Sequence, residues 1–235
     1  MGLLVIMRHG QSAWNRDSRF TGWIDAPLTE LGEAQAHDAG IALRRVGISF
    51  DVAYTSILSR AFVSLWKIQL AIDQPYLPVV RTWRLNDRHY GALTGKSKSL
   101  VRDQYGTEQF QRWRRGYFEA PPPIDEELQK EVLDRLGPMG LPSPEEMPQT
   151  ESLGDTWKRL RPMWCESIAP ALSGGKRVLI VAHGNALRSL VKHIDGIGDD
   201  EIEHVEMTHG HLISYEFDKR MRVQNTTTIT TIKAD

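Results

Sequence analysis

Two apolar runs lie far apart in the chain and break off in the same way. "LLVIM" at 3–7 passes straight into Arg8, His9 and Gly10, and "RVLIVA" at 177–182 passes into His183, Gly184 and Asn185. Both runs are continuous in Leu, Ile and Val rather than alternating, which is the pattern of strands covered on both faces in a parallel sheet. "DVAYTS" at 51–56 and "PVVRTW" at 78–83 are shorter strand candidates, and "LISYEFD" at 212–218 is a late one.

Helical segments separate these strands. The stretch "LTELGEAQAHDAGIALRRVG" has Thr29 as N-cap, acids in its first turn, Arg44 and Arg45 in its last and Gly47 as its stop. Ile57, Ala61, Leu65, Ile68 and Ile72 recur at steps of four, four, three and four, which is one helical face. A third helix is expected over Glu151–Ile168, broken or bent by Pro162, and a fourth over Asn185–Ile194. Strands alternating with helices predict an α/β fold, a mostly parallel central sheet with helices on both faces. The 235 residues are read as a single domain with a surface excursion at 119–150, rich in Pro around the charged helical piece "DEELQKEVLDRL". "TTTITT" at 226–231 reads only as a weakly biased tail.

Composition narrows the function. A net charge of −1 gives no support to a general nucleic-acid or membrane role, so anion binding must come from local clusters. Cys165 is the only cysteine, which leaves no internal disulfide and no cysteine-based metal site; it is expected to be a packed small side chain. Met1–Met7 lacks the features of a signal peptide, and no apolar run approaches the ~20 residues that span a bilayer. A cytoplasmic protein is expected.

Ligands of α/β sheets collect at the carboxyl ends of the strands. If the two long strands are neighbours, ~4.8 Å apart, His9 and His183 face each other across one pocket. A lone histidine is more often a structural residue, but two His-Gly joins, with Arg8 before one and Asn185 after the other, point to a site. Metal ligation fits poorly, because arginine abuts His9 and no carboxylate–histidine cluster surrounds either join. Phosphate fits well: a guanidinium clamps its oxygens while a neutral imidazole attacks phosphorus. Arg60 in "TSILSRA" could add a second clamp, although alone it reads as a solvent-facing helix arginine. In "RTWRLNDRHYGALTGKSKS" at 81–99, Asp87 is a candidate proton donor among Arg88, His89, Tyr90, Lys96 and Lys98. Arg114 and Arg115 in "QRWRRGY" form a further candidate clamp; the plain reading of both stretches is solvated surface.

"RHGQSAWN", "FTGWIDAPLTELG", "AYTSILSRA", "NDRHYGALTGKSK", "WRRGY", "TESL" and "AHGN" resemble, in order, the cofactor-dependent phosphoglycerate mutases of the histidine phosphatase superfamily, over about residues 3–118 and 149–195. The resemblance implies an isomerase of glycolysis and gluconeogenesis that interconverts 3-phosphoglycerate and 2-phosphoglycerate. His9 would be its phosphohistidine, primed by 2,3-bisphosphoglycerate without a metal, with His183 stabilising the phosphoryl group in flight. It further implies that Arg8, Arg60 and Asn15 hold the phosphate, with Gly10, Gln11, Ser12 and Asp87 also among the substrate-binding residues. Thr21, Gly22, Arg88, His89, Tyr90, Lys98, Arg114, Arg115, Gly184 and Asn185 would bind the rest of a small phosphorylated three-carbon acid, in a homodimer or homotetramer.

The chain departs from that family in several places. Asp87 stands where the family has glutamate, and Gln11 replaces a common glutamate. "THGHL" at 208–212 replaces a Pro-Thr-Gly pattern, its His209 and His211 reading as exposed loop residues. The segment 120–148 differs in length and sequence, and the tail is short, which could admit water to the site. Two alternatives stand beside the mutase: a phosphatase of the same superfamily acting on small phosphate esters, and a non-catalytic phosphate-binding protein. Cations at both ends of the pocket favour the mutase.

Overall fold

The structure, a computed structural model, describes residues 1–136 and 140–231. Six strands, β1 (Gly2–Arg8), β2 (Val52–Thr55), β3 (Val79–Arg81), β4 (Arg177–Ala182), β5 (Leu212–Phe217) and β6 (Val223–Ile229), form one sheet in the order β3-β2-β4-β1-β5-β6. The first four run parallel, β5 is antiparallel to β1, and β6 is antiparallel to β5. The helices are α1 (Ala13–Arg16), α2 (Glu30–Arg45), α3 (Ser59–Ala71), α4 (Lys98–Tyr105), α5 (Thr107–Arg115), α6 (Glu126–Leu136), α7 (Leu153–Met163), α8 (Ala169–Ser173) and α9 (Gly184–Asp195).

Alternation along the central strands sorts the core into two layers. Leu4, Ile6, Val178 and Ile180 face one side and pack with Leu160 of α7, Leu172 of α8 and Leu187 and Leu190 of α9. Val5, Met7, Leu179 and Val181 face the other and meet Ala36, Ala39 and Leu43 of α2 and Leu65 and Ile68 of α3. The architecture is therefore the expected one, a mostly parallel sheet covered on both faces.

Local details differ from expectation in the third helix, at Cys165 and at "TTTITT". The helix expected over Glu151–Ile168 starts at a capping box, in which Ser152 accepts from the Asp155 N–H. It runs through Pro162 and then loosens into a π turn at Trp164–Ile168. Proline removes one N–H and crowds the preceding turn, and the wider turn just beyond absorbs that disturbance. Cys165 sits on this turn and is exposed, not packed. The first four residues of "TTTITT", 226–229, are not a tail but the end of β6, a solvent-facing edge strand for which β-branched threonine is well suited. In the 119–150 segment, Ile124 and the α6 residues Val132 and Leu136 pack with Trp23, Ile24 and Leu58. The pieces at 137–139 lie outside the described residues.

Candidate active site

β1 and β4 are adjacent, with Arg8 opposite Ala182, so the next residue of each chain segment is a histidine. The His9 N–H donates to the Ala182 carbonyl at 2.9 Å, and the two imidazole centroids are 4.9 Å apart. Gly10 follows because the chain passes against α2 there: a Cβ on it would collide with the Gly32 carbonyl.

His9 Nδ1 lies 2.6 Å from the Gly10 carbonyl. A carbonyl only accepts, so Nδ1 carries the proton and Nε2 keeps its lone pair. Burial, followed by Arg60, Arg8 and His209, holds His9 well below its usual pKa. His183 is likewise held low, by burial and then by Arg60 and His9. Its Nε2 is 2.7 Å from Ser56 Oγ at the end of β2, while its Nδ1 is buried without a partner among the described residues. Both rings are neutral at physiological pH. One is tied by a serine; the other is free to attack.

Guanidinium groups surround the pair. Arg8 donates from Nη1 to the Met207 carbonyl at 2.7 Å and has its buried Nε unpartnered. Arg60 is buried, anchored on the Ile24 and Gly22 carbonyls at 2.8 and 2.7 Å, and desolvation lowers its pKa to about 10. It is not the solvent-facing helix arginine that its local sequence suggests.

A cleft of about 220 Å³ opens above. Of the sequence-predicted residues it is lined by Arg8, Asn15, Thr21, Asp87, Tyr90 and Lys98, together with Arg114, Arg115, Gly184 and Asn185. Asp87 Oδ1 accepts from the Arg88 N–H at 2.9 Å and from Asn185 Nδ2 at 3.1 Å. Asn185 Nδ2 also donates to the Tyr90 hydroxyl at 2.9 Å. Burial alone would raise the Tyr90 phenol, but Arg88, and more weakly Lys98, reverse this and hold it below its ordinary value. Thr21 Oγ1 is buried and unpartnered, which leaves a hydroxyl available to a ligand.

The other named residues do not line the cleft. Ser12 caps α1 through Asn15, and Gln11 accepts from the Thr29 hydroxyl at the start of α2. Gly22 supplies the carbonyl that holds Arg60. Arg88 is buried with its guanidinium 4.8 Å from the Tyr90 ring and donates to the Arg114 carbonyl. His89 is buried against Trp23 and lowered to about 4 by burial and then Arg159. Sequence reasoning missed Ser56, Arg19, Arg188 and Glu206, and it read His209 as an exposed loop residue. Ser56 follows a strand end and was open to discovery by the same rule that found His9. Arg19, Glu206 and His209 sit in loops and Arg188 on a buried face of α9, with no local signature. His209 in particular is not an exposed loop residue: it lines the cleft with its ring 5.7 Å from His9. His211, also in "THGHL", does not line it.

Comparison with known proteins decides the family. A family model described as histidine phosphatase superfamily, branch 1, matches residues 4–140 and 125–229. The chain belongs to that superfamily. Solved structures of this superfamily fold include the mycobacterial glucosyl-3-phosphoglycerate phosphatase complexed with VO3, 24% identical, with a TM-score of 0.69 over 92% of this chain and 93% of that one. A putative alpha-ribazole-5'-P phosphatase of Escherichia coli is 18% identical, with a TM-score of 0.70 over 98% of both chains. A Bacillus stearothermophilus protein, YhfR, is 23% identical, with a TM-score of 0.70 over 94% of both.

These comparisons correct the expected activity. Matched structures whose names state a substrate are phosphatases rather than phosphoglycerate mutases, so the isomerase and its place in glycolysis and gluconeogenesis are not supported. The 2,3-bisphosphoglycerate primer falls with them, and so does a phosphohistidine maintained by that primer through a mutase cycle, since the ligands of the matched phosphatase are vanadate and inorganic phosphate. The physical reason lies in what the motifs encode. A set of guanidinium and imidazole groups such as Arg8, His9, Arg60 and His183 suits a phosphoryl group whichever acceptor follows, a sugar-acid hydroxyl or water. Among the described residues, no helix is long and apolar enough to cross a membrane.

Proposed function

We propose that this chain is a phosphatase that hydrolyses small phosphate esters at the His9–His183 centre, with water as final acceptor. The observation that carries the proposal is the His9 ring with its proton on Nδ1, held neutral by burial and by the nearby Arg60 and Arg8, which leaves the Nε2 lone pair without a hydrogen bond among the described residues. Nε2 attacks phosphorus in line, the N–P bond forms as the ester P–O bond breaks, and Arg8, Arg60 and His183 meet the charge on the phosphoryl oxygens. Asp87 has its Oδ1 engaged and its Oδ2 without a hydrogen bond among the described residues, which suits Oδ2 to deliver a proton to the departing alkoxide. Water then takes the phosphoryl group from His9.

The lining of the cleft supports a substrate with a second acidic group. Six basic residues, Arg8, Arg19, Lys98, Arg114, Arg115 and Arg188, face it against two acids, Asp87 and Glu206. Burial, and secondarily Arg115, lower the Arg114 pKa, a cost that an anion would relieve. At about 220 Å³ the space suits an ester the size of a phosphorylated three-carbon acid.

Release of inorganic phosphate from phosphoglycolate, without any bisphosphate, tests both parts. Turnover is expected, with kcat/KM at least tenfold above that for 2-hydroxyethyl phosphate; no release from either ester rejects the phosphatase. Asp87→Asn preserves the acceptor for Arg88 but cannot supply a proton. It should lower kcat on such alkyl esters by roughly 10²–10³-fold with KM within threefold. p-Nitrophenyl phosphate, whose leaving oxygen needs no proton, should be far less affected. Equal losses on both substrates would remove Asp87 as the acid.

A further inference from the structure

His183 is held by the protein through one ring nitrogen only. Its Nε2 meets Ser56 Oγ, and its buried Nδ1 has no partner among the described residues. Ser56 is itself fully buried. It stands one residue beyond Thr55, which pairs with Val181 across β2 and β4, so its hydroxyl comes level with the end of the strand that carries His183. The turn is fixed on both sides. Thr55 Oγ1 donates to the Val181 carbonyl at 2.7 Å, and the Leu58 N–H donates to Ser56 Oγ at 3.2 Å. Two residues beyond Leu58, the first turn of α3 delivers Arg60.

These contacts decide which nitrogen of His183 carries the proton. Ser56 Oγ already accepts from Leu58, and a hydroxyl has one hydrogen to give. Among the described residues, His183 Nε2 is the acceptor within its reach. Were Nε2 protonated, Oγ would accept twice and its own hydrogen would be buried without an acceptor, an arrangement that folded chains avoid. The hydroxyl therefore donates to Nε2, and the ring proton sits on Nδ1. The ring is uncharged, since burial, followed by Arg60 and His9, holds it well below its usual pKa.

We propose that Ser56 is a positioning residue: it fixes His183 in the Nδ1–H tautomer, so that an uncharged N–H beside His9 donates to a phosphoryl oxygen as the ester bond breaks. The assignment rests on the phosphatase reading above. The two imidazole centroids are 4.9 Å apart, so a phosphoryl group on His9 brings its oxygens to the neighbouring ring. The opposite tautomer would turn a lone pair towards those anionic oxygens and repel them. Ser56 keeps its proton and touches no substrate; it acts by holding the donor in place before charge develops, so that no reorganisation is needed at that moment. β2, β4 and β1 are neighbours in the sheet, and the first residue past each is in turn the serine, the donor and the nucleophile.

Nitrogen NMR of the histidine rings, read together with kinetics, tests the assignment. In the wild-type protein His183 should show a protonated Nδ1 and a bare Nε2. In Ser56→Ala neither nitrogen has a protein partner, and both shifts should move towards a mixture of the two tautomers. The same variant should lower kcat on p-nitrophenyl phosphate by roughly 10–100-fold with KM within threefold, less than the loss of a whole donor. Orthovanadate, five-coordinate like phosphorus in flight, should bind it at least tenfold more weakly, and inorganic phosphate within threefold of wild type. Ser56→Thr keeps the hydroxyl and should restore both tautomer and kcat. Melting curves check each fold, and Ser56→Cys, a weaker donor of similar shape, replaces Ser56→Thr if the added methyl lowers Tm. A protonated Nε2 in the wild type would overturn the assignment. So would an unchanged tautomer in Ser56→Ala, whatever its kcat, or a changed tautomer with kcat unaltered. No phosphate release by the wild-type protein would sink hydrolysis alone, because tautomer and vanadate affinity are read without turnover.

Discussion

Exchange of His9 for asparagine is expected to lower phosphate release by on the order of 10⁴-fold or more, the scale seen when an enzyme loses its nucleophile. The loss should appear in kcat, because Arg8 and Arg60 still bind the phosphate. It should not come from unfolding. His9 is buried among cations and makes one side-chain hydrogen bond, to its own neighbour's carbonyl, which the asparagine amide can also reach. Melting within a few degrees of wild type is therefore part of the expected result. The wild-type ring provides a second check by NMR. Burial and the flanking arginines lower the folded pKa of His9 well below 6.5. Protonation, which blocks attack, therefore sets in only well under that pH. A His9 resonance that titrates at or above pH 6.5 in the free protein would contradict a neutral nucleophile.

Much of this centre was legible at the level of strand ends. The apolar runs at 3–7 and 177–182 predicted core strands, and the ligand-binding rule for their carboxyl ends placed His9 and His183 together. The adjacency itself is a matter of topology, settled by the β1–β4 register, which no local pattern encodes. β6 escaped notice for a different reason. Its residues face solvent up to Ile229, so they show no apolar alternation, and threonine repeats read as bias rather than as a strand. His209 reaches the site through a loop whose only marks are a glycine and a backbone bond to Arg8, contacts that span about two hundred positions. The mutase expectation failed for a chemical reason: phosphate-gripping residues are common to every acceptor, and the acceptor is chosen by groups around the attacking oxygen.

The largest stability effect should come from Arg159, a residue outside the cleft. Its guanidinium pairs with Glu151 through Nε at 2.6 Å and Nη2 at 3.1 Å, both side chains being buried. It also donates to the Arg84, Asn86 and Asp87 carbonyls at 2.7, 2.8 and 2.8 Å. Glu151 in turn accepts the His89 N–H at 2.7 Å, so one ion pair from the start of α7 pins the loop that carries Asp87. Arg159→Met removes the cation but leaves Glu151 and several carbonyls buried without donors. A loss of about 3–5 kcal/mol is expected, which in a chain of this length lowers Tm by roughly 10 °C. Glu151→Gln should cost less, because the amide oxygen still accepts from His89 and Arg159. The double variant Arg159→Met, Glu151→Leu should recover part of the stability, since no uncompensated carboxylate remains. Activity should not recover with it: the carbonyl of Asp87 would keep only its bond from Trp23 Nε1, at 2.8 Å, and the proton donor would lose its fixed position. Recovery of both together would mean that the network holds the fold but does not set the geometry of Asp87.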